Sequence, residues 1–417
     1  MVFRALRHKN YRIFVSGQSI SLTGTWMQQI AVSWLVYRMT NSVFLLGLVG
    51  FSAQIATFLL APVAGVIADR HHRHRILVVT QVLAMAQAAV LYILVVTHTV
   101  AVWHIVLLSF AAGVINAFDL PVRQAFTVDI IENREDLGNA IALNSSMVNA
   151  AKLLGPSIGG ILITLFGEAI CFLINAFSYI AVLLSLFMMN VHHRERSVRH
   201  TGPILRQLKE GLAYAFHFMP IRTILLLLGL VSFIAGGAQV LMPVFAKDIF
   251  HGGAGTLGFL MASSGLGALT GAIYLAGRKN VLGLGKVIAL NTGLFGVGMM
   301  AFAVSPVLGF CALSLVFAGF GMMVQMAASN VVLQTIVDED KRGRVMSFYT
   351  MAFMGTTPFG SLLAGGMAGK IGAAPTLLLG GICCIVAALA FTMKLPRLRE
   401  LARPVYIQKG IIPEPIH

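Results

Sequence analysis

Long apolar segments dominate this chain and decide what it can fold into. Each of twelve segments is mostly apolar and reaches the roughly 20 residues that a helix needs to cross a bilayer. They lie near residues 11–38, 43–68, 74–98, 101–128, 139–165, 168–191, 221–247, 254–277, 283–304, 306–332, 343–369 and 373–394. Charged residues make up 11% of the 417 residues, against about 25% in a soluble domain. The sequence therefore predicts an all-α integral membrane protein with twelve transmembrane helices.

The distribution of lysine and arginine predicts how the chain is oriented. Basic residues concentrate in the N-terminal arm, in the loop after the second span, in the gap at 192–220 and in the C-terminal arm. The alternate loops hold only Arg38, Lys247 and Lys370. Because basic loops stay in the cytoplasm, both termini are predicted to be cytoplasmic. The net charge of +15 is then explained by the basic residues of the cytoplasmic loops and termini. This disfavours the alternative of a nucleic-acid-binding protein.

The second half of the sequence repeats the first. A shift of 205 or 206 residues places Gly113, Gly138, Gly155 and Gly160 on Gly319, Gly343, Gly360 and Gly365. We therefore predict two pseudo-symmetric six-helix halves, 1–191 and 221–395, as in transporters built from repeats. A cytoplasmic linker at 192–220 joins them and contains a short amphipathic helix at 204–212. A cytoplasmic tail follows at 396–417.

Three charged residues, Asp119, Arg123 and Lys152, lie inside the two apolar segments of the stretch Gly113–Gly167. Asp119 is the only one of the 15 acidic residues predicted to lie deep in a span, and Arg123 follows one helical turn later, in the order that favours pairing. An intramembrane charge costs roughly 2.5–3.5 kcal/mol and is a functional hypothesis by default. We interpret Asp119 and Arg123 as a proton-coupling pair whose pairing changes during transport. A static pair that packs the fourth span is the alternative.

Polar side chains mark a candidate substrate site. Lys152, near the middle of the fifth span, must face a cavity or a partner; anion binding and pairing with Asp119 are both open. Other polar residues recur at helical spacing on the first, seventh and tenth spans. Those assigned to substrate binding are Gln18, Ser21, Thr25, Gln28, Gln239, Gln325 and Asn330. Lining of a cavity is the prediction, and plain interhelical hydrogen bonding is the alternative.

Several kinds of protein are disfavoured by what the spans lack. No paired nucleophile and base, H-E-x-x-H motif or phosphate-binding loop is recognisable, so we predict neither an enzyme nor a cofactor or metal. The loop histidines are interpreted as solvated surface, and the four cysteines as reduced packing residues. The expected partners are the lipid bilayer, a small-molecule substrate and protons, with no nucleic acid, and the protein is expected to be a monomer.

Short motifs resemble those of the major facilitator superfamily. Residues 65–75, GVIADRHHRHR, resemble the superfamily's G-x-L-A-D-R-x-G-R-[RK] signature between helices two and three, with His72 in place of a glycine. Residues 155–160, GPSIGG, resemble the G-P-x-x-G-G element of helix five in its antiporters. The stretches 24–28, 121–125 and 342–347 resemble the branch that contains the bacterial enterobactin exporter and macrolide efflux pumps.

The resemblance implies a fold and a function. It implies the major facilitator fold and a secondary active transporter of the bacterial cytoplasmic membrane. The expected activity is proton-coupled export, by antiport and alternating access, of a small amphiphilic molecule such as a drug or siderophore. An importer or a lipid-type flippase on the same fold is the alternative, and a membrane enzyme or receptor is disfavoured.

The resemblance also implies two structural roles. The first is a cytoplasmic gate at the ends of the second and fourth spans, formed by Gly65, Asp69, Arg70, Arg73 and Asp129. A mere topology signal is the alternative for these residues. The second is the helix-five antiporter motif, whose members are Gly155, Pro156, Gly159 and Gly160. These small residues let helices slide, or simply let them pack closely.

Overall fold

The computed structural model describes residues 4–70, 72–131, 133–189, 214, 216–278, 280–339 and 341–412. In the first half the helices are α1 (Lys9–Thr40), α2 (Val43–Arg70), α3 (Arg73–Val96), α4 (Val102–Asp129), α5 (Leu137–Phe166) and α6 (Ala169–Met188). In the second half they are α7 (Met219–Val244), α8 (Ala254–Ala276), α9 (Leu284–Val304), α10 (Leu308–Ile336), α11 (Arg342–Thr350), α12 (Thr357–Ile371) and α13 (Ala373–Gln408). These described residues contain no strand.

The twelve predicted spans are confirmed. Within the described residues, ten helices are long and apolar enough to cross a membrane. Polar side chains lower the hydropathy of α1, and a π-helical turn at Met351–Gly355 divides the eleventh span into α11 and α12. The predicted amphipathic helix at 204–212 lies outside the described residues.

The last helix runs further than the sequence suggested. α13 has 36 residues and is therefore about 54 Å long, against a hydrocarbon core of about 30 Å. It continues past the predicted boundary at 395 because Leu395, Leu398 and Ala402 bury one face against the second half. The predicted boundary of the tail at 396 thus falls inside a helix.

The two halves share a core at one end only. The largest apolar cluster draws on both halves, with Leu46 and Phe172 from the first and Phe245 and Phe302 from the second. We call this the closed end; it carries the loop between α1 and α2. At the opposite end, the open end, one cluster around Phe126 belongs to the first half. Another, around Ile336, belongs to the second.

Small residues let the halves approach each other. α5 packs on α8, and α2 packs on α12. A Cβ added at Gly258 of α8 would lie 2.5 Å from the carbonyl oxygen of Pro156 in α5. One added at Gly47 of α2 would lie 2.7 Å from the carbonyl oxygen of Ser361 in α12. Both crossings therefore depend on the absence of a side chain.

Tyr214, near the end of the predicted linker, contacts the loop between α10 and α11. The Tyr214 hydroxyl donates to Asp338 Oδ2 at 3.2 Å, and Lys341 Nζ lies 3.2 Å from the same oxygen and 4.4 Å from the Tyr214 ring centroid. The hydrogen bond from Lys341 holds the pKa of Asp338 below its usual range. This cluster fixes the start of the second half to its own open end.

Candidate transport site

Asp119 lies in the middle of the membrane and faces α3. It is ten residues, or about 15 Å, from the end of α4, and it is 5% exposed. Its Oδ1 accepts hydrogen bonds from Thr80 Oγ1 at 2.9 Å and from Gln81 Nε2 at 2.7 Å. Its Oδ2 lies 3.5 Å from Arg123 Nη1. The predicted Asp119–Arg123 contact is therefore present, and each carboxylate oxygen has a partner.

Thr80 and Gln81 were missed in the sequence. Both are buried on α3, and their only signal was a pair of adjacent polar residues within a mostly apolar helix. Which neighbouring helix they would face was not predictable from that pattern. Three donors, two neutral and one cationic, therefore surround a carboxylate for which the sequence indicated Arg123 and, as an open alternative, Lys152.

Lys152 lies where α1, α5 and α8 meet. Its ammonium nitrogen is 5.3 Å from the centroid of the Trp26 ring in α1, a cation–π distance. A Cβ at Gly265 in α8 would lie 3.1 Å from its carbonyl oxygen. Among the described residues no carboxylate forms an ion pair with Lys152, and Asp119 pairs with Arg123. The structure therefore places this cation at the boundary between the halves.

The polar face of α1 makes hydrogen bonds between helices. Gln28 Nε2 donates to Gln87 Oε1 of α3 at 2.9 Å, and Gln28 Oε1 accepts from Asn175 Nδ2 of α6 at 2.7 Å. Gln87 Nε2 continues the chain to the Leu108 carbonyl oxygen of α4 at 3.2 Å. For Gln28 the structure thus shows the interhelical alternative, across four helices of one half.

The remaining residues of that face are also enclosed in the first half. Thr25 Oγ1 lies 3.4 Å from the Tyr179 hydroxyl of α6. Gln18 and Ser21 are buried, and Gln18 Oε1 has no hydrogen-bond partner among the described residues. Their predicted contact with substrate therefore requires access that this conformation does not provide.

The second half carries a neutral counterpart of the charged pair. The 206-residue shift that aligns the repeats takes Asp119 to Gln325 and Arg123 to Ser329. Gln325 is fully buried, and its Nε2 lies 3.5 Å from Ser329 Oγ. Two equivalent positions of the repeat thus hold a charged pair in one half and a neutral pair in the other.

The other two predicted substrate residues differ in their surroundings. Asn330 Oδ1 accepts a hydrogen bond from Gln334 Nε2 at 2.6 Å, one turn further along α10. Gln239 of α7 is half-buried. Among the described residues, neither of them makes a hydrogen bond to Lys152 or to the polar residues of α1.

Two residues of the predicted cytoplasmic gate form an ion pair. Arg73 Nη1 donates to Asp129 Oδ2 at 2.7 Å, which joins the start of α3 to the end of α4. Gly65, Asp69 and Arg70 belong to α2, and their side chains lie outside the described part of the chain. The Arg73–Asp129 pair lies within the first half, so the role of these residues as a gate stays a prediction.

The helix-five motif packs α5 against two helices at once. A Cβ at Gly155 would overlap Trp26 of α1, and one at Gly159 would lie 2.8 Å from Ile30 Cγ2. On the other face, a Cβ at Gly160 would lie 2.8 Å from the Ala254 carbonyl oxygen of α8, next to the Pro156–Gly258 contact. The motif therefore provides close packing, within the first half on one face and across the halves on the other.

Contacts between the halves close the opposite end. The Tyr37 hydroxyl of α1 donates to Asp248. Lys247 Nζ donates to Asn41 Oδ1 at 2.6 Å and lies 5.4 Å from the Tyr37 ring centroid. This cluster was not predicted from the sequence, where its one signal was that Lys247 is among the few basic residues of the alternate loops.

No metal or cofactor site stands out in the described part of the chain. No group of three or more His, Cys, Asp or Glu side chains there could hold a metal ion. What the site offers is a buried titratable pair, a cation between the halves and two ends that differ in closure. These are features of a membrane transporter, and the comparison with known proteins agrees.

Residues 2–410 match the model of a protein family described as transmembrane secretion effector, within the major facilitator superfamily. The chain belongs to this family. The staphyloferrin A transporter of Staphylococcus aureus is 26% identical, over 91% of this chain and 95% of that protein. Macrolide efflux protein A of Streptococcus pyogenes is 22% identical over 92% and 95%. The enterobactin exporter of Citrobacter koseri is 23% identical over 97% and 96%.

A solved structure shows the same fold. A bacterial homologue of the human lysosomal transporter Spinster, in an inward-facing and unoccupied conformation, aligns with a TM-score of 0.64 at 15% identity. The alignment covers 98% of this chain and 99% of that one. The family member is therefore a multi-pass membrane transporter with the major facilitator fold, and it is not an enzyme.

Proposed function

We propose that this family member is a proton-coupled exporter of small amphiphilic molecules, of the siderophore or macrolide class, in the bacterial cytoplasmic membrane. The observation that carries the proposal is the buried Asp119, with Arg123 on one oxygen and Thr80 and Gln81 on the other. The names of relatives that transport staphyloferrin A, macrolides and enterobactin support the substrate classes.

The two ends of the molecule support alternating access. The closed end is held by the shared apolar core and by the Tyr37–Asp248 and Asn41–Lys247 contacts. If the basic loops lie in the cytoplasm, the open end faces the cytoplasm and admits substrate from there. Release outside then requires the closed-end contacts to break while the halves meet at the other end.

Protonation of Asp119 is the step that couples the cycle to the proton gradient. The ionised carboxylate attracts Arg123 and accepts from both neutral donors. A proton taken up from outside neutralises it, so the Coulomb attraction of Arg123 is lost and only hydrogen bonds remain. Loss of that proton to the cytoplasm restores the pair. One proton enters as substrate leaves, which makes the exchange an antiport.

The proposal is tested with the variant Asp119→Asn in everted vesicles. We expect uptake of a labelled macrolide or staphyloferrin A, driven by a pH gradient, to fall to the level of vesicles without the protein. Equilibrium exchange of the same substrate, without a gradient, should persist because the amide keeps the shape of the side chain. Glu135→Gln, which removes an exposed carboxylate at the open end, is the matched control.

Two outcomes would contradict the coupling role. Gradient-driven uptake at the wild-type rate in Asp119→Asn would place proton binding elsewhere. Loss of equilibrium exchange together with driven uptake would show that Asp119 holds α3 and α4 together and does not couple protons. A wild type that fails to respond to a pH gradient with either substrate would overturn proton-coupled export itself.

A further inference from the structure

A cavity lies within the second half and is lined by no described residue of α4 or α5, the helices that carry Asp119 and Lys152. It has a volume of about 390 Å³ and is found at the open end, where α7 and α9 begin and α10 ends. Its wall is largely apolar and includes Ile224, Ile288, Val332, Ile336, Phe391 and Leu395. Cavities of this size hold small molecules, and the proposed transport mechanism does not use this one.

The rim of the cavity carries positive charge. Arg399 and Arg403 of α13 line it, one helical turn apart on the same face. Neither guanidinium forms an ion pair with another described residue. Glu400 also lines the cavity and offsets one of the two charges. One positive charge therefore remains in excess beside an apolar pocket.

The surroundings place the cavity at the boundary between lipid and water. Apolar side chains next to its wall point outward, with Leu290 of α9 73% exposed and Met393 of α13 82% exposed. Immediately beyond them come the exposed cations Lys286, Lys394 and Arg397. A change from exposed apolar to exposed basic residues marks the membrane interface. The arginines thus lie at headgroup level and the apolar wall at the level of the acyl chains.

We propose that this cavity binds an anionic phospholipid. Its phosphate lies against Arg399 and Arg403, because guanidinium groups bind phosphate oxygens through paired, charge-assisted hydrogen bonds. Part of an acyl chain occupies the cavity and packs against its apolar wall. Basic pockets between transmembrane helices on the cytoplasmic side bind anionic headgroups in this way. The excess positive charge favours an anionic headgroup over a zwitterionic one.

Bound lipid would stabilise the extension of α13. The helix end is tied to α10 by Lys409 Nζ, which donates to the Thr335 carbonyl oxygen at 2.7 Å and to that of Val337 at 3.2 Å. The cavity lies between these same two helices. A lipid that bridges them protects the second half against unfolding, so its binding is measurable as a rise in Tm.

The test uses the full-length protein, titrated in a neutral detergent with phosphatidylglycerol or phosphatidylcholine. We expect saturable binding and a rise in Tm with phosphatidylglycerol only. The double variant Arg399→Gln/Arg403→Gln should bind it roughly 30-fold more weakly, if each arginine contributes as a basic residue does near an anionic membrane. Lys394→Gln/Arg397→Gln removes two charges from the same helix, outside the cavity, and should bind nearly as the wild type does.

A tryptophan reporter tests occupancy of the cavity directly. The natural tryptophans, Trp26, Trp34 and Trp103, all belong to the first half. In Phe391→Trp, the added indole should be quenched by trace phosphatidylglycerol with brominated acyl chains. The same quencher on phosphatidylcholine should have little effect beyond that seen in the parent protein.

Several results would overturn the proposal. Equal losses in the two double variants would mean diffuse attraction without a site. Lack of saturable binding to the wild type, or equal binding of both lipids, would remove the headgroup preference. If free glycerol phosphate raised the Tm as much as the lipid does, the cavity would be a site for a soluble anion. Quenching of Phe391→Trp that does not depend on the headgroup would place the acyl chain elsewhere.

Discussion

The crossing of α5 and α8 gives a prediction whose size follows from the geometry. In Gly258→Ala the new Cβ would lie 2.5 Å from the Pro156 carbonyl oxygen, whereas a carbon–oxygen contact needs about 3.3–3.6 Å. Because both atoms belong to helices in close contact, the halves must separate by about 1 Å at the closed end. Overpacking of this kind costs about 1–3 kcal/mol.

That cost falls on one state of the transport cycle. When the closed end opens, the two helices separate there and the added methyl group finds room. The substitution should therefore shift the equilibrium about 5–150-fold towards the state that is open at this end. Gly47→Ala should act in the same direction, because its Cβ would meet the Ser361 carbonyl oxygen at 2.7 Å.

The shift is measured as a distance distribution between spin labels on either side of the closed end. Gly366→Ala is the control, since a Cβ there meets nothing within 4 Å and the residue lies in α12, one of the same crossing helices. If Gly258→Ala and Gly366→Ala give the same distribution as the wild type, the crossing does not separate during the cycle. The two-state reasoning would then be refuted.

Two further predictions concern charged residues. Lys152→Gln should weaken binding of an anionic substrate at least about tenfold more than that of a cationic one, because the cation acts in a low-dielectric site; Lys152→Arg should keep much of the activity. Equal losses for both ligands in equilibrium binding would mean that Lys152 only packs the bundle. Asp129→Asn should remove the ion pair that joins the start of α3 to the end of α4 and lower the stability of the protein by no more than about 1 kcal/mol, since both side chains are partly exposed. An unchanged Tm would show that this pair does not stabilise the packing of the two helices.

The fold was predictable because its determinants are local. A bilayer demands apolar segments of a fixed length, so each predicted span corresponds to a helix or, for the eleventh, to α11 and α12 together. The extension of α13 to Gln408 was not predictable, because it depends on the burial of Leu395, Leu398 and Ala402 against distant helices. In addition, proline disfavours the interior of a helix, and Pro396 and Pro404 both lie inside α13.

The site was only partly predictable. Helical periodicity shows which residues share one face of a helix, but it does not show which helix packs against that face. The spacing of Asp119 and Arg123 lies within one helix, so their contact followed from the sequence. The orientation of Gln28 towards α3 and α6, and of Asp119 towards Thr80 and Gln81, is a property of the bundle. No pattern within a single helix contains that information.

The asymmetry of the two halves limits how a proton can drive them. A ligand shifts a conformational equilibrium only if its affinity differs between the two states. In this conformation the partners of Asp119 among the described residues, namely Thr80, Gln81 and Arg123, all belong to the first half. Its repeat counterpart Gln325 cannot titrate. Rigid rotation of one half against the other would leave those three contacts unchanged. The affinity of Asp119 for a proton would then be the same in both conformations. Coupling therefore requires either a change of water access to Asp119 or a rearrangement inside the first half. Such a rearrangement can occur at Pro121, because this proline lies between Asp119 and Arg123 and interrupts the backbone hydrogen bonding of α4, so the helix can bend there.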